Sequence, residues 1–197
     1  MIDPARAHLI IIDVQDRLIP ALSQSDRMIA HCAALTGAAR KLDVPILISE
    51  QYPSGLGSTV SALNVPSLVE ANAARVMSKT DFSVLADGAM RDHLATAREA
   101  GRDQLVLAGC EAHVCVLQTA LDAVVLGYEV FCVWSAISSR RMPDRSIAMR
   151  RLGNQGVVPI TTEMAMFECL GTAKNPAFKS ISEMLKTLPL PVSDAAG

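Results

Sequence analysis

Short apolar runs alternate along the chain with longer stretches in which apolar residues recur at helical spacing. The runs have the length of buried strands, and the stretches have the period of amphipathic helices. We predict strands at 8–13, 44–49, 75–78, 104–109, 128–134 and 156–160. We predict helices at 28–42, 65–71, 87–100, 115–126, 143–152, 162–170 and 175–185. This alternation is typical of an α/β fold with three layers around a doubly wound, mostly parallel, six-stranded sheet.

Three segments interrupt the alternation. Residues 50–59 are rich in Pro, Gly and Ser, which predicts a loop that forms a pocket wall. Residues 135–141 read SAISSRR and predict a polar turn, and 189–197 predict a loose C-terminal tail. A chain of 197 residues has the length of one domain, so we expect a single domain over 1–188.

Composition narrows the range of partners. Half of the residues are hydrophobic and 19% are charged, which favours a compact globule. A net charge of -2 predicts no nucleic-acid partner, so we expect a small-molecule substrate. No apolar run has the length of a membrane span, and the N-terminus does not read as a signal peptide, so we expect no membrane association and a cytoplasmic location. The five cysteines show no paired spacing, which favours reduced thiols.

Three residues with ionisable side chains that could take part in catalysis follow three different predicted strands. Asp13, Lys79 and Cys115 each lie at the carboxyl end of a strand. Taken alone, each has an ordinary interpretation: a capping aspartate, a solvated lysine and a buried small cysteine. Because parallel strands share one carboxyl edge, however, the three side chains are expected to meet in one crevice. Their coincidence favours a catalytic site.

The chemistry that such a trio supports is acyl transfer by a cysteine nucleophile. Cys115 lies at the start of its predicted helix, where free N–H groups and the helix dipole favour a thiolate. Asp13 serves as general base and acid, and Lys79 as a fixed positive charge. Backbone N–H groups in the 111–115 turn bind the oxyanion. No GxGxxG or Walker motif is present, so we expect no nucleotide cofactor.

Several dispersed motifs resemble those of the isochorismatase-like cysteine hydrolases. They are IIIDVQ at 10–15, SEQYPSGLGST at 49–59, SKTDFS at 78–83, GCEAHVCVLQTALDA at 109–123 and AISSR at 136–140. The resemblance covers nearly the whole chain and implies strand order 3-2-1-4-5-6. It also implies catalysis by Asp13, Lys79 and Cys115 on a C–N amide-type bond, through a thioester on Cys115. A cis peptide between Cys110 and Glu111 is implied too, with the N–H groups of Glu111 and Cys115 forming the oxyanion hole.

The chain departs from some members of that family. Zinc-dependent nicotinamidases carry an Asp-x-His and further histidines after the second strand, whereas this chain has Glu50-Gln51-Tyr52 and no histidine between His31 and His93. We therefore expect no metal site and no cofactor. Members that cleave isochorismate lack the cysteine. The closest resemblance is to a metal-free branch without an assigned substrate.

Specificity is expected to depend on side chains around the crevice. We assign substrate contacts to Leu18, Gln51, Tyr52, Phe82 and His113. Many family members are oligomers, so we expect a homo-oligomer. Two alternatives remain: a catalytically idle member that acts through binding or oligomer contacts, and a flavodoxin-like binding module.

Overall fold

The computed structural model describes residues 1–189, so 190–197, which make up almost all of the predicted C-terminal tail, lie outside the described residues. Its centre is a six-stranded sheet in the order β3-β2-β1-β4-β5-β6, and every pair of neighbouring strands is parallel. The strands are β1 (Ala7–Ile12), β2 (Ile46–Gln51), β3 (Ala74–Lys79), β4 (Gln104–Cys110), β5 (Glu129–Ser138) and β6 (Val158–Ile160). The predicted fold class and strand order are confirmed.

Helices cover both faces of the sheet. They are α1 (Ser25–Lys41), α2 (Pro53–Leu56), α3 (Val65–Glu70), α4 (Gly88–Glu99), α5 (Leu117–Val125), α6 (Met142–Gly153), α7 (Thr162–Leu170) and α8 (Phe178–Lys186). One apolar core packs α1, α3 and α7 against the sheet, and a second core packs α4, α5 and α6 against the opposite face. Among residues 1–189, no helix combines the length and apolar character that a membrane crossing requires.

The central strands are almost entirely apolar because both of their faces are covered, with His8 in β1 and Gln104 in β4 as polar exceptions. Every residue of β1 and of β4 is buried. The register pairs Ile10 of β1 with Leu107 of β4 on one side and with Leu47 of β2 on the other. This alignment brings the carboxyl ends of β1, β2, β3 and β4 to one edge of the sheet.

The fifth strand is longer than the sequence pattern predicts. It continues through Ser138, so the prediction of a polar turn over 135–141 is wrong for its first four residues. An irregularity between Leu107 and Gly109 shifts the β4–β5 pairing, after which Gly109 pairs with Ile137 and Cys110 with Ser138. The backbone hydrogen bonds of the sheet thus keep in a strand a serine-containing segment whose composition alone favours a turn.

Candidate active site

The predicted acid and amine meet at the carboxyl edge of the sheet. Asp13 directly follows β1, and Lys79 is the last residue of β3. The Lys79 Nζ lies 2.8 Å from Asp13 Oδ2, and the two side chains are 0% and 1% exposed. A buried charge is costly unless it is paired and hydrogen-bonded, so this ion pair needs a closed set of partners.

The lysine has such a set. Its ammonium donates to Gln51 Oε1 at 2.7 Å and to the carbonyl oxygens of Asp81 and Phe82 at 3.2 and 3.1 Å. Gln51 is available because it pairs with Lys79 in the register between β2 and β3. With the carboxylate of Asp13, four oxygens surround three N–H bonds, so the positive charge is held in one place.

The carboxylate of Asp13 connects the lysine to the cysteine. Its Oδ1 accepts a 2.7 Å hydrogen bond from Ser49 Oγ, and Lys79 occupies its other oxygen. The negative charge of Asp13 also acts on the thiol of Cys115, whose pKa it raises. The structure therefore brings Lys79 into direct contact with Asp13 and places Cys115 within the electrostatic influence of the same carboxylate.

The protonation state of Cys115 differs from the sequence-based expectation. Burial, followed by the negative charge of Asp13, raises the pKa of Cys115 to about 12, although the charge of Lys79 opposes this effect. The prediction of a resting thiolate is therefore wrong, because desolvation and a neighbouring carboxylate outweigh the amide dipoles of the turn. The resting group is a thiol subject to the charge of a nearby carboxylate.

A single turn of π-helix, Ala112–Val116, carries Cys115 between β4 and α5. Glu111 precedes it with a left-handed backbone, φ 59° and ψ 67°, and its carbonyl accepts from the N–H groups of Val114 and Val116. Within the described residues all peptide bonds are trans, so the prediction of a cis bond between Cys110 and Glu111 is wrong. The chain instead reverses through positive φ angles at Gly109 and Glu111.

Gly109 is required by close packing as well as by its backbone angle. Its φ is 127°, and a Cβ placed there would lie 2.2 Å from the carbonyl oxygen of Ile12. Only glycine lets β4 approach the end of β1 this closely, next to Asp13.

Two buried residues to which the sequence pattern assigns no role, Ser49 and Gln15, support the site. Ser49 orients Asp13, as described above. Gln15 is fully buried, and its amide donates to the carbonyl oxygens of Gln51 and Gly57 while its Oε1 accepts from the N–H of Gln51. Gln15 thus fastens the loop after β2 to the end of β1. Its place two residues after Asp13, inside the IIIDVQ run, was the available signal.

The five predicted substrate contacts fall into different environments. Tyr52 and Phe82 are 57% and 53% exposed beside the Lys79 end of β3, so their rings face solvent at this edge. Leu18 packs partly against the first apolar core. Both polar groups of the Gln51 side chain are engaged, since its Nε2 donates to the carbonyl of Thr80. Gln51 is thereby placed as a partner of the lysine.

His113 lies on the other side of the turn. Its Nδ1 is 3.1 Å from Ser139 Oγ and 3.3 Å from Glu111 Oε2, and its Nε2 is 4.0 Å from Asp144 Oδ2. The ring therefore contacts the end of β5 and the start of α6.

Metal ligands do not assemble at this edge within residues 1–189, where no group of three or more His, Cys, Asp or Glu side chains is arranged to hold an ion. Glu50, at the position where the sequence departs from zinc-dependent relatives, accepts from the N–H of Thr59 at 2.7 Å and from its Oγ1 at 2.8 Å. Its carboxylate thus braces the loop.

The architecture and the strand-edge site define a class, the α/β proteins with the hydrolase fold of the isochorismatases. Residues 7–164 match the sequence profile of the Isochorismatase domain. The chain belongs to the isochorismatase family.

Two curated relatives of the chain carry the family name, and a similar solved structure carries a different one. Isochorismatase domain-containing protein 1 of Salmo salar is 36% identical over 183 residues, covering 93% of this chain and 62% of that protein. The chain thus spans less than two thirds of the length of this relative. Isochorismatase domain-containing protein 2A of Mus musculus is 36% identical over 193 residues, covering 96% and 87%. A solved structure titled MAR1 ribonuclease, from Caenorhabditis elegans, matches with a TM-score of 0.85 at 32% identity and covers 98% of each chain.

Proposed function

We propose that the protein is a cysteine hydrolase that cleaves a C–N amide-type bond of a small molecule through a Cys115 thioester. The observation that supports this proposal is the buried Lys79–Asp13 ion pair, whose carboxylate also raises the pKa of the Cys115 thiol. Desolvating such a pair brings the fold little net stability, so a chemical role accounts for it better than packing does.

The proposed reaction starts from the thiol. Asp13 takes the proton of Cys115 while the sulfur forms a bond to the carbonyl carbon of the substrate. The N–H groups of Glu111 and Cys115 bind the resulting oxyanion. As the C–N bond breaks, the proton moves from Asp13 to the leaving nitrogen. A water molecule then attacks the thioester and gives its proton to Asp13, which returns it to the departing sulfur.

Lys79 has an electrostatic role in this scheme. Its charge is fixed by oxygens of Gln51, Asp81 and Phe82 as well as by Asp13, so it stays in place when the carboxylate becomes protonated. As the proton leaves, negative charge develops on the sulfur and passes to the oxyanion, and Lys79 stabilises the charge while it is on the sulfur. The thiol with a raised pKa thus becomes a nucleophile only as its proton transfers to Asp13.

The direct test is ammonia or amine release from a panel of small amides. We expect Cys115→Ala to abolish turnover of every amide that the unaltered protein hydrolyses, with unchanged circular dichroism. Cys169→Ala is the matched control, because burial also raises the pKa of Cys169 to about 12 and this cysteine lies on α7, away from the site. Turnover that survives Cys115→Ala would disprove the proposal. No turnover of any amide would favour the catalytically idle alternative.

An RNA oligonucleotide belongs in the same panel because the Caenorhabditis elegans relative is titled a ribonuclease. We expect no cleavage by this chain, since a net charge of -2 supplies little attraction for a phosphate backbone. RNA cleavage that is lost in Cys115→Ala would redirect the proposal towards nucleic acid.

A further inference from the structure

A second charged cluster lies behind the turn that carries Cys115. It consists of Glu111, His113, Ser139 and Arg140, and we call it the turn anchor. The Glu111 side chain is 8% exposed, and its Oε1 lies 2.8 Å from Arg140 Nε while its Oε2 lies 3.3 Å from His113 Nδ1. Neither contact has the geometry of a hydrogen bond, so the Glu111 carboxylate is stabilised by electrostatic attraction instead. The proposed mechanism assigns no role to these side chains.

The backbone of Glu111 explains why an anchor is needed. Its φ of 59° is in the left-handed region, which side-chain-bearing residues rarely adopt. The N–H of this residue is one of the two proposed oxyanion donors. The N–H groups of Val114 and Val116 hold the carbonyl of Glu111 from inside the turn. A small rotation about φ would still turn its N–H away from the reacting carbonyl, and contacts of its side chain outside the turn oppose that rotation.

The residues that hold Glu111 are themselves fixed. The N–H of Ser23 donates to the carbonyl of Ser139 at 3.0 Å, and Ser23 Oγ donates to the carbonyl of Arg140 at 3.1 Å. Ser139 is fully buried, and its hydroxyl contacts His113. The end of β5 is thus tied to the segment before α1, which gives Arg140 a rigid base from which to reach Glu111.

We infer that Arg140 is a positioning residue, which keeps the N–H of Glu111 in the oxyanion hole by holding the Glu111 carboxylate. This inference rests on the proposed function. Arg140 is 57% exposed, so its ion pair adds little to global stability. Its effect is local: it opposes the relaxation of one left-handed residue, and its loss would leave the buried Glu111 carboxylate with His113 as its remaining ion-pair neighbour among residues 1–189.

Two reactions of the same sulfur separate this role from a general structural one. Acylation of Cys115 by p-nitrophenyl acetate passes through a tetrahedral oxyanion: the sulfur bonds to the carbonyl carbon, its proton goes to Asp13, and p-nitrophenolate leaves. Alkylation by iodoacetamide displaces iodide at a saturated carbon and forms no oxyanion. A displaced oxyanion donor therefore slows the first reaction and leaves the second unchanged.

The experiment measures both rates on Cys115 by peptide mass spectrometry in four forms: the unaltered chain, Arg140→Ala, Arg140→Lys and Arg141→Ala. We expect Arg140→Ala to slow acylation about 10- to 100-fold and to leave alkylation within about twofold. Arg140→Lys keeps the charge without the Nε geometry, so it should show a smaller loss of the same kind. It also keeps the test available if the alanine variant does not fold. Arg141→Ala, an exposed neighbour with the same charge change, should match the unaltered chain.

Three results would overturn the inference. Arg140 variants that acylate as fast as the unaltered chain would show that the anchor does not position the turn. Equal losses in both reactions would show that Arg140 supports the sulfur or the fold instead. An unaltered Cys115 that is alkylated but never acylated would remove the proposed function itself, and the inference with it.

Discussion

Replacing Asp13 with asparagine should produce a cysteine that ionises more readily in a protein that no longer turns over. The carboxylate raises the pKa of Cys115, so its removal should lower that pKa, while Lys79 keeps its oxygens from Gln51, Asp81 and Phe82. Acyl transfer nevertheless stops, because no group remains to carry a proton from the sulfur to the leaving nitrogen.

The size of this effect follows from elementary electrostatics. With a pKa of about 12, the thiol is ionised to about one part in 100,000 at pH 7. A unit charge at about 4 Å and an effective dielectric of about 20 contributes about 4 kcal/mol. That energy corresponds to at most about three pH units, and burial, the largest cause of the raised pKa, remains, so the thiolate fraction should rise between about 10- and 1,000-fold. The unpaired lysine costs about 3–5 kcal/mol of stability, and a thermal melt must therefore accompany the assay.

The assay is the rate of iodoacetamide alkylation of Cys115 between pH 6 and pH 9, with Asp16→Asn as a control of equal charge change at an exposed aspartate. The unaltered chain and the control should show rates that rise about tenfold per pH unit without a plateau. Asp13→Asn should bend towards a plateau near the upper end. Two results would refute this prediction. One is an alkylation rate of the unaltered chain that reaches a plateau below about pH 8.5, the pKa of a free cysteine. The other is an Asp13→Asn variant whose alkylation rate depends on pH as that of the unaltered chain does.

Three further outcomes test the framework around the site. Gly109→Ala should cost about 3 kcal/mol in chemical denaturation, because the new Cβ would meet a β1 carbonyl oxygen at 2.2 Å; an unchanged midpoint would contradict this. Burial lowers the pKa of His8 to about 3 in the folded protein. Below about pH 6.5 the unfolded chain therefore binds more protons than the folded chain, and the free energy of unfolding decreases as the pH is lowered. His8→Phe should therefore lose about 2 kcal/mol less than the unaltered chain between pH 7 and pH 5, and equal losses would count against it. Gln51→Leu removes one acceptor from the buried Lys79 ammonium and should cost about 2 kcal/mol and slow acylation; a variant equal to the unaltered chain in both would be evidence against the role of Gln51.

Sequence reasoning worked where the physical cause is local and periodic. The apolar runs predicted six strands, and the rule that parallel strands share a carboxyl edge predicted that Asp13 would meet Lys79. The 2.8 Å ion pair between Lys79 and Asp13 is consistent with the strand order, because only β2 lies between β1 and β3. Gln51 at the end of β2 contacts the Lys79 ammonium.

The failures concern balances that only three-dimensional packing decides. The helix dipole favours a thiolate at Cys115, but burial and the negative charge of Asp13 raise the pKa of this thiol instead. Serines near position 138 favour a turn, yet an irregularity in the β4–β5 pairing keeps Ser138 in a strand. Glu111 reaches its left-handed backbone through a trans bond, and its charge partner at Arg140 is 29 residues further along the chain. No local pattern signals such a pair.

Asp13, Lys79 and Cys115 are proposed to act together through an acyl-enzyme. The most direct measurement is the mass of the Cys115 peptide after incubation with a metabolite extract and rapid acid quenching. We predict an acyl adduct on Cys115 that is absent in Asp13→Asn and that disappears from the unaltered chain on longer incubation. An unmodified Cys115, or the same adduct persisting without Asp13, would contradict the account.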